Sequence, residues 1–119
     1  MDGKTEQFTK AIYETVVTES IRSYKVMFNN IEMSSDMDDF SRQIISLYQS
    51  LSDDNQKILM KLIEQTIIDD VSHIFGIIDG TSPLTNCKIE PSLLLDSEQA
   101  DEFLQEMFIS YIEEENLFP

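Results

Sequence analysis

A chain of 119 residues with 23 acidic and eight basic side chains, net −15, is one domain that buries roughly two-thirds of its unfolded surface, and it is disfavoured as a direct nucleic-acid ligand, because that binding rests on Lys and Arg neutralising phosphates. A hydrophobic fraction of 41% with seven Phe and four Tyr excludes a disordered acidic tail, which lacks the apolar area to fold. The single Cys87 excludes an internal disulfide, no run approaches the roughly eighteen uncharged apolar residues of a membrane span, and the start MDGKTEQFTK carries no apolar signal region, so no membrane partner is expected and the expected address is the cytoplasm.

Four segments carry apolar residues at helical spacing. Phe8, Ile12, Val16, Tyr24, Met27, Phe28 and Ile31 recur at steps of three and four and predict a first helix over 5–31, bent near the β-branched Val16-Val17-Thr18. Ser34, Ser35 and Asp36 are N-cap candidates for a second helix over 36–50, whose first turn holds Asp38 and Asp39 and whose inner face is Phe40, Ile44, Leu47, Tyr48 and Leu51. Ser52-Asp53-Asp54 opens a third helix that runs to Asp79, with Gly80 as its left-handed stop. Its apolar side begins at Ile58, Leu59, Leu62 and Ile63 and drifts toward Ile67, Val71, Ile74, Phe75 and Ile78. A stripe that wide predicts a central helix with neighbours on more than one side.

Gly80, Pro83 and Pro91 interrupt residues 80–96, which predicts an ordered loop or a short β-hairpin. A last helix over 97–115, starting at Asp96 or Ser97, would bury Ala100, Phe103, Leu104, Met107, Phe108, Tyr111 and Ile112. The expected fold is therefore all-α, an irregular four-helix bundle with the third helix at its centre.

Three groups of side chains are candidates for chemistry. Asp69, Asp70 and His73 fall within two helical turns, where two carboxylates beside an imidazole could bind a metal or act as an acid/base set. With one histidine in the chain and no zinc or HExxH-type spacing, the set is thin, and exposed helix polarity is the better account; no metal and no cofactor is expected. Within it, Asp70 lies on the wheel among Leu59, Ile63, Ile74 and Ile77, which marks it as a buried polar candidate, whereas Asp69 falls with Gln65 and Ser72 on the polar stripe. Cys87 has only His73 as a base to activate it and is expected to be a buried or half-buried structural residue.

The third group is acidic. No base follows Lys88, while nine acids do. Glu98, Glu102, Glu106 and Glu113 fall within about 80° of one another on the expected last helix, a ladder that local helix energetics only tolerate. They form the candidate surface for a basic protein partner.

In size, acidity and helix content, and in those alone, the chain resembles bacterial immunity proteins, whose acidic surfaces block cationic nuclease toxins. Fifteen Ile against two Ala and two Arg also suit an AT-rich bacterial genome. The expected function is non-enzymatic binding of a basic partner. The alternatives are a helical domain that forms a homodimer through an apolar helix face and, more remotely, a small enzyme around Asp69, Asp70 and His73.

Overall fold

The long amphipathic run at the start of the chain is a helix with an irregular middle. In the computed structural model, which describes residues 3–29, 34–101 and 103–119, it comprises α1 (Lys4–Ile12), a π-helical segment (Tyr13–Thr18) and α2 (Glu19–Phe28) without a break. Val16, Val17 and Thr18, where a bend is expected, fall in this π segment; Ile31 lies outside the described residues. The i→i+5 pattern winds more slowly than an α-helix. Thr5, Thr9, Tyr13 and Val17 recur every four residues, a row that would drift around a regular α-helix, and all four are buried.

The second helix, α3 (Asp39–Ser50), starts three residues later than expected. Its cap is Asp38, whose carboxylate accepts the Ser41 N–H at 2.6 Å. The Ser41 hydroxyl and then that backbone bond hold the Asp38 carboxyl below the usual aspartate value. The expected inner face is partly wrong: Phe40 and Leu47 are exposed, and the buried residue is Ile45. α3 turns Ile45 and Tyr48 inward because Phe28 of α2 stacks on the Tyr48 ring at 4.4 Å.

The third predicted helix is α4 (Asp53–Asp79). Ser52 Oγ accepts the Asn55 N–H, and Gly80 at φ 83° ends the helix in the left-handed conformation. α4 packs on α5, on the π segment and on α2, so it is the central element. Its buried face is partly the expected one: Phe75 is in the core and Ile67, Val71 and Ile78 pack against it. Ile68, Ser72, Phe75 and Gly76 face inward, whereas Ile58, Leu62 and Ile74 stay in solvent. The reason is close approach: Ser72 and Gly76 lie one turn apart and have little side chain, so α5 can settle against them. A Cβ on Gly76 would meet Ser82 Oγ at 2.9 Å and both polar atoms of the Gln105 amide at 3.1 Å.

After Gly80 the chain runs without regular structure to Leu93. It then forms a two-residue antiparallel hairpin, β1 (Leu94–Leu95) with β2 (Glu98–Gln99), in register Leu94 to Gln99 and Leu95 to Glu98. Asp96 and Ser97, expected to start the last helix, are instead the hairpin turn, with φ of 51° and 68°. Positive φ at both central residues matches the strand twist. The last helix is α5 (Leu104–Glu114), which buries Leu104, Phe108 and Ile112 along one stripe; Ala100 is buried ahead of it, while Phe103 is exposed. The fold is thus all-α: 67% of the described residues are helical, in four helices when α1, the π segment and α2 are read as one, with a small hairpin. The core is Tyr13, Val17, Ile68, Phe75, Ala100, Leu104, Phe108 and Ile112, with Phe75 edge-on to Phe108 at 5.4 Å. No helix among the described residues is long and apolar enough to cross a membrane.

Candidate functional site

A part-buried polar network links the hairpin and α5 to α1 and α4. Asp79, the last residue of α4, accepts the Leu104 N–H on Oδ1 and the Gln105 N–H on Oδ2, both at 2.9 Å. These are first-turn donors of α5 that lack helical partners, and Phe103 at the cap position supplies no side-chain acceptor. The Gln105 amide then donates to Ser72 O and Oγ, and the Asp101 N–H donates to Thr5 Oγ1 at 3.1 Å. Lys4 reaches Glu98 at 3.2 Å and Asp96 at 3.7 Å.

This arrangement breaks up the expected acidic ladder. Glu98 sits on β2 and faces Lys4, Glu102 lies outside the described residues, and only Glu106 and Glu113 share a helix, exposed on α5 two turns apart. The physical reason is the hairpin, which takes Ser97, Glu98 and Gln99 from the span that the apolar spacing assigns to the helix, so that α5 starts only at Leu104. Asp70 is not the buried polar group: it is exposed, as are Asp69 and His73. Because α4 turns its small residues inward, Ser72 becomes the buried polar residue of this helix, with Thr5 and Thr9 on α1. Asp69 accepts a bond from the Gln65 amide along the helix surface. Among the described residues no three His, Cys, Asp or Glu side chains gather to hold a metal. Cys87, expected to be at least half-buried, is exposed, because the segment around it has no element to cover it.

Two grooves of about 500 Å³ remain. The first lies between α1 and α5. Phe103, Met107 and Tyr111 line it, and Glu6, Glu106 and Glu114 supply its carboxylates. Lys10 lies within 5.8 Å of the Tyr111 ring centroid and 3.4 Å from Glu6. The Tyr111 hydroxyl donates to Glu14 at 3.2 Å; burial and that carboxylate raise the Tyr111 pKa. Tyr13, edge-on to Tyr111 at 5.7 Å, is raised by burial and then by the charges of Glu64 and Glu14.

The second groove lies between α2 and α4 and gathers Lys25, Lys57 and Lys61 with Asp53 and Glu64; Arg22 lines an adjoining hollow. Sequence reasoning missed this basic concentration. Its signal was present, since Arg22 and Lys25 are three apart and Lys57 and Lys61 four apart, but nothing in the spacing says that the two helix faces meet. Comparison with protein-family models, curated proteins and solved structures finds no match.

Proposed function

We propose that this protein is a non-enzymatic binding module whose α1–α5 groove receives a basic, apolar-anchored segment of a partner protein. The observation that carries the reading is the coincidence of charge and shape. Residues 1–18 and 67–119 hold fifteen acids against three bases, and within that part of the chain lies a groove lined by Met107, Phe103 and Tyr111 with Glu6, Glu106 and Glu114 beside them. Apolar anchors set in a polar rim are the anatomy of a protein-binding patch. The surrounding field would raise the on-rate of a cation. Masking of a cationic toxin, as immunity proteins do, is the biological role this chemistry suits.

The test uses a fluorescent peptide of alternating Lys and Phe as probe. Any chain of net −15 attracts such a peptide, so location is the readout. Glu106→Lys with Glu114→Lys should slow association about tenfold at low salt and flatten its salt dependence. The same number of reversals at the exposed Asp70 and Asp36 should cost far less. Equal losses from the two pairs would show that the groove is not the site and that the acidity only solubilises.

A further inference from the structure

The part of the molecule built from α2, α3 and the first half of α4 follows a different balance of forces. Of its described apolar side chains only Phe28 and Ile45 are buried, while Val26 is 70% exposed, Phe40 69%, Leu47 57%, Ile58 62% and Leu62 61%. On α3, Phe40, Ile44, Leu47 and Leu51 recur at i, i+4, i+7 and i+11, the spacing of a helix seam. Because Ile45 and Tyr48 are the residues turned to α2, the outer members of that seam, Phe40 and Leu47, stay uncovered. On α4, Ile58 and Leu62 are one turn apart. Leu47 and Ile58 both lie within two turns of the Leu51–Ser52 junction, so exposed apolar side chains flank the turn between the two helices. Monomeric proteins rarely leave such patches in water.

The shape agrees. The radius of gyration is 17.7 Å, against about 13.5 Å for a compact chain of this length. This arm stands away from the core instead of folding over it.

We propose that α3 and the N-terminal half of α4 pair two-fold with the same surface of a second copy of this chain. Charge identifies the occupant. Residues 19–66 carry eight acids and five bases, net −3, whereas the rest of the chain carries net −12. A basic partner is drawn to the acidic remainder. A second copy is repelled there and meets least repulsion at the arm. The arm's charges also alternate in sign: Asp38 and Asp39 precede Arg42 on α3, and Asp53 and Asp54 precede Lys57 and Lys61 on α4. A two-fold axis sets residue i against j and j against i, so Phe40, Leu47, Ile58 and Leu62 of each copy would meet those of the other, flanked by charges of both signs. Among the described residues Lys57 and Lys61 form no ion pair within one chain.

Sedimentation equilibrium of the full chain in physiological salt tests this independently of the groove reading. The expected mass is twice that of the monomer, with dissociation on dilution. Leu47→Glu with Leu62→Glu should weaken the dimer by more than tenfold while far-UV circular dichroism stays unchanged, since both side chains are exposed. If that pair loses helix, the milder Phe40→Ser with Ile58→Ser is read in its place. Glu106→Lys with Glu114→Lys should remain dimeric. A wild-type chain that is monomeric at every concentration overturns the proposal, whether the arm is then covered by another protein or by nothing; so does a dimer indifferent to the arm substitutions.

Discussion

Two aspartates show what a single residue's place in the fold decides. Asp70, which a helical wheel sets among Leu59, Ile63, Ile74 and Ile77, is exposed, while Asp79 holds the first turn of α5 through two backbone N–H groups. The wheel reads hydrophobicity alone. It does not register that Ser72 and Gly76, by being small, select the face on which another helix can lie. Asp79→Ala should therefore cost about 1–2 kcal/mol, the range for a lost cap and its charged hydrogen bonds, seen as a lower urea midpoint at unchanged slope. Asp70→Ala should stay within about 0.5 kcal/mol, as exposed positions do. Equal effects would mean that Asp79 is not a cap in solution.

The tyrosines provide a pH signature at the same scale. Tyr111 keeps its proton more tightly in the folded state, because burial and the Glu14 carboxylate oppose the phenolate. A folded pKa raised above the unfolded one contributes stability that is complete below the unfolded value and is lost as pH rises through the folded value. Stability should thus fall from about pH 10 upward, where an unperturbed tyrosine ionises. Tyr111→Phe should shallow that decline, and an alkaline titration of urea midpoints reads the difference. An unchanged alkaline slope would show that the Tyr111–Glu14 contact does not persist.

At the level of elements, the ends of α4 are legible because their signals are local. Ser52 followed by two acids needs only its own backbone to cap a helix, and Gly80 needs only its own φ to stop one. The phase of α3 and the start of α5 are not local quantities. Phe40 and Leu47 have the spacing of an inner face, but the Phe28–Tyr48 stack sets the rotation of α3. Asp96 and Ser97 have the composition of an N-cap and also that of a tight turn, and only the pairing of Leu95 with Glu98 distinguishes the two. That turn predicts a stabilising change. Ser97 holds φ 68°, where a side chain is strained. Ser97→Gly, which creates the Asp-Gly pair preferred in such hairpins, should add about 0.5 kcal/mol, net of the greater freedom of glycine in the unfolded chain. A loss of stability on thermal or urea melting would contradict the turn geometry.

For the whole molecule, the helical class and the acidity are evident from composition and spacing, whereas their distribution in space is not. A net charge belongs to a sequence; a near-neutral apolar arm beside a strongly acidic core belongs to a fold. The candidate site was legible in the same measure. Glu106 belongs to both the sequence reading and the groove, but its companions there are Glu6 and Glu114, brought together by α1 and α5 rather than by one helix.

The stretch from Thr81 to Leu93, without helix or strand and with Lys88 exposed in its middle, makes the chain divisible. Every other lysine and arginine sits in a helix, so brief trypsin treatment should cut first after Lys88, since exposed irregular segments are the preferred sites of nicking. The piece that follows keeps the hairpin and α5, anchored by Leu104, Phe108 and Ile112 in the core and by the bonds to Asp79, Ser72 and Thr5. The two fragments should therefore elute as one particle under native conditions and separate only in denaturant. First cleavage inside a helix, or fragments that part at once, would refute this. If the nicked protein holds together, residues 1–88 and 89–119 are two polypeptides that happen to share a backbone, and the join between them can be opened, extended or supplied in trans.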